Sequence, residues 1–365
     1  MNKKIKALIA VGGTGGHVLP GYNLAIHLSK LDYSVDLVTD RRGLRFIKDL
    51  ELLKVSTLPS SPLIKKNIIT LFYSSLLIAY SIVRSIIFLA LRRPNIIFGM
   101  GGYASFPICI AAFILNIKFV NYENNLIIGR ANKALLPLTK KLIVSYKDLE
   151  GIPNKYLTKV IEIGNIISKE IINLSSSSTK KKNFKSLNLL ILGGSQAAKV
   201  FAETLPSILR DCYKYGIPLK IFQHCLPDQN EKLKLFYEKN KIDFEIFNFS
   251  RDLIKYFSQS NLAITRSGSS MLAELTNANI PFISVPLPSS VDNHQLKNAI
   301  YYERKKFSFL IEEKDLNDKL FYLIKEIYEN NSKLYEVIKY QEQYSDKKVY
   351  ENIDIFLKEF NYEKN

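Results

Sequence analysis

Short apolar runs alternate with longer stretches of helical spacing along the first half of the chain. The short runs are rich in Ile, Val and Leu, which is typical of buried strands. Strands that alternate with helices form a parallel sheet covered on both faces, so this pattern predicts a doubly wound α/β domain. The predicted strands are 7–11, 34–39, 95–99 and 119–122, and the first predicted helix is 20–31.

The same pattern restarts after a polar stretch. Residues 173–188, which are rich in Ser and Lys, lack apolar periodicity and predict a loop just past a domain boundary. We therefore expect two Rossmann-like domains, 1–164 and 165–344, and then residues 345–365 as a helix that packs back on the first domain. The second series comprises predicted strands at 189–192, 219–223, 262–265 and 281–286 and a predicted helix at 196–215.

The composition is that of a globular protein. A chain of 365 residues with 47% hydrophobic residues and 16 glycines is neither disordered nor collagen-like. At about 150 residues per domain, the length fits two domains. The three scattered cysteines, Cys109, Cys212 and Cys225, predict no disulfide framework, and no CxxC pair or His cluster has zinc-site spacing. These features fit a reducing cytosol, and no cleavable signal peptide is visible.

The net charge of +17, from 51 Lys and Arg against 34 Asp and Glu, favours an anionic partner, although Lys-rich coding alone would give the same excess. The distribution of charge is more informative than its sum. No acidic residue lies between Glu51 and Glu123, and this stretch is also the most apolar of the chain. We expect an anionic membrane surface as a partner and no nucleic acid. The basic residues of the stretch are Lys54, Lys65, Lys66, Arg84, Arg92, Arg93 and Lys118.

Residues 68–91 are long and apolar enough to span a membrane as a helix. A crossing would separate the strands before and after it, which the pattern places in one sheet. We therefore predict a helix that docks on the inner face of the membrane, with a buried core helix and a true span as alternatives. Its polar stripe, Asn67, Thr70, Ser74, Ser81, Ser85 and Arg92, would face water or the domain edge, and Lys65, Lys66, Arg92 and Arg93 would contact anionic headgroups.

Three glycine-rich turns follow predicted strands: GGTGGH at 12–17, GMGGYAS at 99–105 and GGSQ at 193–196. Such a turn at a helix N-terminus lets backbone amides approach a phosphate. The first turn is not the dinucleotide fingerprint, because Val18 replaces the third glycine of GxGxxG. Two alternatives remain for the first turn. The protein could be a nicotinamide enzyme in which Asp40 binds the ribose, or the turn could bind no ligand. The GGSQ turn lacks the GK[ST] of ATPase loops, and two such turns in similar domains suggest a cleft.

The densest block of small and polar residues is TRSGSSMLAEL at 265–275, followed by DNHQ at 292–295. Small residues between a strand and a helix place amides at a candidate anion site. Glu274 would lie in the second turn of that helix. Its carboxylate could accept two ribose hydroxyls, or it could be only a charge near the helix start.

Six motifs occur in the order and spacing of one family, the bacterial lipid II synthases. These enzymes are the UDP-N-acetylglucosamine:undecaprenyl-pyrophosphoryl-muramoyl-pentapeptide N-acetylglucosaminyltransferases, and the chain resembles them from Lys6 to about Glu313. The motifs are GGTGGH, GGYAS, YENN with GRANK, LGGSQ, RSGSSMLAEL and DNHQLKNA.

The resemblance implies two Rossmann-like domains facing across a cleft, the GT-B type of α/β glycosyltransferase. It implies inverting transfer of N-acetylglucosamine from UDP-N-acetylglucosamine to the 4-hydroxyl of the muramoyl sugar of lipid I, which gives lipid II. It also implies no metal, no cofactor and a peripheral position on the cytoplasmic face of the inner membrane. The sequence has no DxD motif, the carboxylate pair with which metal-using transferases hold a cation.

The resemblance also assigns site residues. His17 or Glu123 would be the catalytic base. The expected donor contacts are Thr14, Gly15, Gly16 and Asn125 near the reacting sugar, Ser195, Ser269, Ser270 and Met271 at the diphosphate and uridine, Glu274 at the ribose, and His294 and Gln295 at the N-acetylglucosamine hydroxyls.

Three positions depart from the family pattern. Ser168 stands where an arginine usually lies near the diphosphate, Tyr122 replaces the His of HEQN, and Met271 replaces a Thr. The loss of the arginine keeps open a non-catalytic sugar-nucleotide-binding or membrane-scaffold protein. A transferase with another lipid or natural-product acceptor is a second alternative, which GGYAS argues against.

Overall fold

The structure is a computed structural model that describes residues 4–47, 53–62, 67–177, 185–248, 253–344 and 346–362. It comprises two compact units. The first unit is Met1–Ser168 with Asp346–Asn365, and the second unit is Lys169–Ser345.

The first unit contains a parallel sheet of seven strands in the order β3-β2-β1-β4-β5-β6-β7. The interior strand β1 is apolar along most of its length because it is covered on both faces. The strands are β1 Ile5–Ala10, β2 Tyr33–Thr39, β3 Lys54–Thr57, β4 Ile96–Gly99, β5 Phe119–Glu123, β6 Leu142–Val144 and β7 Val160–Glu162, and the helices are α1 Gly15–Ser29, α2 Ile68–Arg92, α3 Gly102–Ile114 and α4 Arg130–Leu135.

The second unit repeats this design with six parallel strands in the order β10-β9-β8-β11-β12-β13. Its strands are β8 Leu187–Leu192, β9 Leu219–His224, β10 Asp243–Phe247, β11 Leu262–Thr265, β12 Phe282–Ser284 and β13 Phe309–Leu310. Its helices are α5 Lys169–Ser177, α6 Gly194–Lys214, α7 Asn230–Lys239, α8 Ile254–Gln259, α9 Ser269–Asn277, α10 His294–Arg304, α11 Leu316–Glu329 and α12 Ser332–Gln343. Two parallel-sheet α/β domains confirm the predicted fold class.

The C-terminal helix α13, Val349–Tyr362, packs in the first unit. The hydroxyl of Tyr350 donates to the carbonyl of Ile167 at 2.6 Å. The ring of His27 on α1 bonds to the carboxylate of Asp354 at 2.8 Å and lies against the ring of Tyr350. The helix thereby joins the end of the first unit's main segment to α1.

Helix α1 begins at Gly15, five residues earlier than predicted from Pro20. A proline inside a helix lacks the N–H that would bond to the carbonyl four residues before it. Here that carbonyl belongs to Gly16, and the side chain of Asn124 donates to it at 2.7 Å. A residue distant in sequence therefore satisfies the group that the proline leaves, and the helix extends through it.

The predicted loop at 173–188 is wrong at both ends. Helix α5 continues to Ser177 and β8 begins at Leu187, whereas 178–184 lie outside the described residues. Five short strands, β3, β6, β7, β10 and β13, were not predicted, because runs of two to five residues carry little periodicity.

Helix α2 confirms the predicted helix, and most of its large apolar side chains are exposed, as the predicted stripe of polar residues requires. Ser74, Ser81 and Ser85 are buried, and each hydroxyl bonds to a carbonyl of its own helix at 2.7–3.0 Å. The small serines let α2 lie close to α3. The three serines of the predicted polar stripe thus pack on the domain, whereas Asn67 is exposed, and Lys65 and Lys66 lie outside the described residues. Arg84 is also exposed on this helix. The exposed large hydrophobic residues of α2, called the apolar patch below, are Ile68, Ile69, Leu71, Phe72, Tyr73, Leu76, Tyr80, Val83, Ile87 and Leu91.

We expect Ser85→Leu to destabilise the first unit by about 1–3 kcal/mol, because a larger side chain does not fit a fully buried position. Ile87→Ser, two residues further along the same helix, should change stability by less than about 0.5 kcal/mol, because Ile87 is 54% exposed. Thermal unfolding in detergent micelles measures both. The reverse ranking would mean that the serine face is the outer one.

Candidate active site

The turn between β1 and α1 lies at the carboxyl edge of the first sheet. A Cβ at Gly12 would come within 2.3 Å of the Cβ of Ala104, so only glycine allows α3 to approach this closely. Gly13 has φ +84°, a conformation that glycine adopts without strain. Thr14 precedes the first helical residue, and Gly15, Gly16 and His17 form the first turn of α1.

Asp40 holds this turn in place. Its carboxylate, which is 6% exposed, accepts the backbone N–H of Gly13 at 3.1 Å and of Gly43 at 2.8 Å. Arg42 also bonds to it at 3.3 Å and lies over the ring of Tyr103. The residue that a nicotinamide enzyme would use for ribose is thus engaged in ordering the glycine turn.

His17 connects two glycine-rich turns, its own GGTGGH turn and the GMGGYAS turn. Its Nδ1 lies 3.1 Å from the carbonyl oxygen of Met100. Because a carbonyl oxygen only accepts, Nδ1 is the protonated nitrogen of the neutral ring and Nε2 carries the lone pair. The ring packs against Gly101 and Gly102, where a Cβ would lie within 3.3 Å of it. The imidazole is therefore fixed in the tautomer and orientation in which Nε2 can accept a proton.

Glu123 is 2% exposed and ends β5. Its carboxylate accepts four N–H groups, from the backbone of Gly129 at 2.8 Å, the backbone and side chain of Asn125 at 3.1 and 3.0 Å, and the side chain of Asn132 at 2.9 Å. Both carboxylate oxygens are engaged. This geometry suits a group that orients Asn125 better than one that takes a proton from a substrate.

Tyr122, at the position of the family histidine, is buried in the same region. Its hydroxyl bonds to Ser145 at 2.7 Å and accepts the backbone N–H of Ile166 at 3.1 Å. Burial raises the pKa of Tyr122 far above its usual range, so the hydroxyl stays neutral. Tyr122 thus joins β5 to the segment that leads to Ser168.

In the second unit, four of the candidate donor residues lie on α9. Ser269, Ser270 and Met271 form the first turn of this helix, where the positive end of the helix dipole lies. Glu274 falls in the second turn, as predicted, and is 7% exposed. The GGSQ sequence forms the start of α6, which begins at Gly194, and the side chain of Ser195 lies outside the described residues.

The segment 287–295, called the 287–295 loop, precedes and opens α10. Asp292 and Asn293 have φ +53° and +54°, a left-handed conformation that is uncommon for residues other than glycine and clusters at functional sites. The Nδ1 of His294 donates to the carbonyl of Val291 at 2.8 Å, and the side-chain oxygen of Gln295 accepts the N–H of Leu287 at 3.0 Å. These bonds fold the loop upon itself.

Several residues of this region were not singled out from the sequence. Asn124 and Asn132 lie inside quoted motifs, but their structural roles depend on Gly16 and Glu123, which are distant or buried partners. Arg266 begins a quoted motif and proves to be buried. Within the described ranges, no group of three His, Cys, Asp or Glu side chains could hold a metal ion.

Both halves of the chain match domain families of glycosyltransferases. The glycosyltransferase family 28 N-terminal domain matches residues 7–144, and the family 28 C-terminal domain matches residues 188–353. A relative from Pelagibacter ubique (strain HTCC1062) is 34% identical over 364 residues, 100% of this chain and 95% of the relative. A relative from Rickettsia felis is 32% identical over 343 residues, 91% of this chain and 92% of the relative. Both are named UDP-N-acetylglucosamine–N-acetylmuramyl-(pentapeptide) pyrophosphoryl-undecaprenol N-acetylglucosamine transferase.

Solved structures share the fold at lower identity. Acinetobacter baumannii MurG is 22% identical with a TM-score of 0.74, covering 97% of this chain and 99% of that one. The S. aureus MnaA–UDP complex is 16% identical with a TM-score of 0.70, covering 98% and 97% of the two chains.

Proposed function

This chain belongs to the family of UDP-N-acetylglucosamine–N-acetylmuramyl-(pentapeptide) pyrophosphoryl-undecaprenol N-acetylglucosamine transferases, and from that premise we infer that it converts lipid I to lipid II. The observation that carries this inference is the match to the P. ubique relative along the whole chain. The 4-hydroxyl oxygen of the muramoyl sugar bonds to the anomeric carbon of the donor sugar with inversion. The bond from that carbon to the diphosphate breaks, and UDP leaves with the electron pair.

The second unit binds the donor. The N-terminus of α9, at Ser269, Ser270 and Met271, holds the diphosphate, since backbone amides and the helix dipole favour anions there. Glu274 accepts the ribose hydroxyls, and His294 and Gln295 contact the N-acetylglucosamine hydroxyls. Ser195 of the GGSQ turn contributes at the diphosphate. Ser168 brings no positive charge, so helix ends rather than the family's arginine neutralise the departing diphosphate.

The first unit supplies the base. His17 accepts the hydroxyl proton at Nε2, because its Nδ1–H is engaged with Met100. Glu123 positions Asn125, which lies with Thr14, Gly15 and Gly16 near the reacting sugar. The reaction needs no metal, which is supported by the lack of a DxD motif in the sequence.

His17→Ala should lower kcat by roughly 10² or more, with little change in KM for either substrate, because a general base acts in the transition state. Transfer of radiolabel from UDP-N-acetylglucosamine to a short-chain lipid I analogue measures this. Wild-type protein that binds UDP-N-acetylglucosamine but transfers no label would favour the non-catalytic alternative. If His17→Ala keeps kcat within a factor of a few, His17 is not the base.

Glu274→Ala should raise KM for UDP-N-acetylglucosamine by the equivalent of about 1.5–3 kcal/mol, the usual value of hydrogen bonds to a charged group. The acceptor KM should stay the same. Glu231→Ala, which removes an exposed carboxylate from the first turn of α7, is the matched control. Loss of folding with unchanged donor affinity per folded molecule would assign Glu274 a structural role.

The apolar patch of α2 docks on an anionic membrane, where the lipid acceptor resides. Among the described residues, α2 is the one helix long and apolar enough to cross a membrane. A crossing is incompatible with the first sheet, because β3 and β4 lie on either side of α2 in sequence and belong to the same sheet. The exposed residues recur at spacings of three and four, so one face can lie along the membrane. Arg92 and Arg93 at its end suit anionic headgroups on the cytoplasmic face.

The triple variant Phe72→Ser, Leu76→Ser and Ile87→Ser should weaken binding to anionic vesicles at least about tenfold, since each side chain loses apolar burial. Leu235→Ser on α7 removes an equally exposed apolar residue of the second unit and should bind as wild type. Vesicle sedimentation with and without salt measures both. Binding that survives the triple change, salt and alkaline carbonate would mean that another or an inserted segment holds the protein.

A further inference from the structure

Arg266 lies at the end of β11 with 5% of its surface exposed. Its Nη1 donates to the carbonyls of Val285 at 3.2 Å and Pro286 at 3.3 Å, and its Nη2 pairs with the carboxylate of Glu313. The guanidinium also lies 4.7 Å from the ring centre of Phe201 on α6. A buried cation is stable only with such partners, so these contacts constrain every segment that supplies them.

Arg266 lies next to the segments that carry the candidate donor residues. Its backbone N–H donates to the carbonyl of Leu192, which immediately precedes the GGSQ turn, at 3.3 Å. Its side chain binds Val285 and Pro286, which immediately precede the 287–295 loop. Ser269, the first residue of α9, follows three positions later in the chain. Arg266 is thus hydrogen-bonded to the residues just before two of these segments and precedes the third by three positions in the chain.

The position of the 287–295 loop depends on its two ends. At its start, the chain leaves β12 and the carbonyls of Val285 and Pro286 turn to Arg266. At its far end, the side chain of Asn298 on α10 donates to the carbonyl of Ser267 at 3.1 Å. Both ends are therefore tied to the same short turn between β11 and α9.

We propose that Arg266 is a positioning residue for the donor sugar, which sets the 287–295 loop at the correct distance from the N-terminus of α9. This rests on the proposed function, in which His294 and Gln295 contact N-acetylglucosamine and α9 holds the diphosphate. In this role Arg266, which is 5% exposed, acts through the loop and not by contact with the donor. Its loss therefore weakens the sugar contacts and leaves the uridine diphosphate contacts of α9 in place.

The experiment compares the Kd of UDP with the Kd of UDP-N-acetylglucosamine by calorimetry. In Arg266→Gln, the Kd of UDP-N-acetylglucosamine should rise at least about tenfold, as expected for hydrogen bonds from a charged donor, while the Kd of UDP stays within about threefold. Arg266→Lys keeps the charge with fewer donors and should give an intermediate rise. Arg210→Gln removes an arginine of α6 that pairs with its neighbour Asp211, and should leave both values unchanged.

His294→Ala separates this inference from the proposed function. It should raise the Kd of UDP-N-acetylglucosamine but not that of UDP; if it does not, the loop does not contact the sugar and the proposed function is wrong there. If His294→Ala has this effect and both Arg266 variants bind as wild type, the positioning role is wrong. If Arg266→Gln does not fold, Arg266→Lys is the variant to measure. If UDP and UDP-N-acetylglucosamine then bind equally more weakly than to the wild type, Arg266 only supports the fold.

Discussion

The carboxylate of Glu123 is buried in the first unit, and a buried charge is stable only when its hydrogen-bonding capacity is met. Four N–H groups meet it, and they come from Gly129, Asn125 and Asn132. The same loop carries Asn124, whose side chain satisfies the carbonyl that Pro20 leaves open in α1. The loop that folds around the Glu123 carboxylate therefore also holds the start of α1, where His17 lies.

The second unit buries a charge of the opposite sign. Arg266 is a buried cation whose partners are carbonyls and the carboxylate of Glu313. Each buried ion lies at or just past the carboxyl end of a parallel strand. The chain turns there and no longer makes the backbone hydrogen bonds of the sheet. Turns that carry substrate contacts have few apolar contacts of their own, so a buried ion with several hydrogen bonds is an effective means of ordering them.

Helix α2 buries a row of serines and exposes large apolar side chains. In the proposed membrane docking, the apolar side of α2 must face away from its own domain. Serines at the packing face let α2 lie close to α3, and their hydroxyls bond within the helix, so their burial leaves no polar group unsatisfied. The apolar patch is then exposed as a continuous face.

The sequence by itself determined the fold class, most strands, the extent of α2 and the positions of the motifs, because these follow from local periodicity and glycine turns. It placed Glu274 in the second turn of α9 and His17 near the start of α1. It could not determine where α1 begins or whether the polar stripe of α2 faces water or the domain, since the first depends on Asn124 and the second on contact with α3. The engagement of Glu123 and the burial of Arg266 were likewise decided by tertiary structure, because their partners converge only when the strands align.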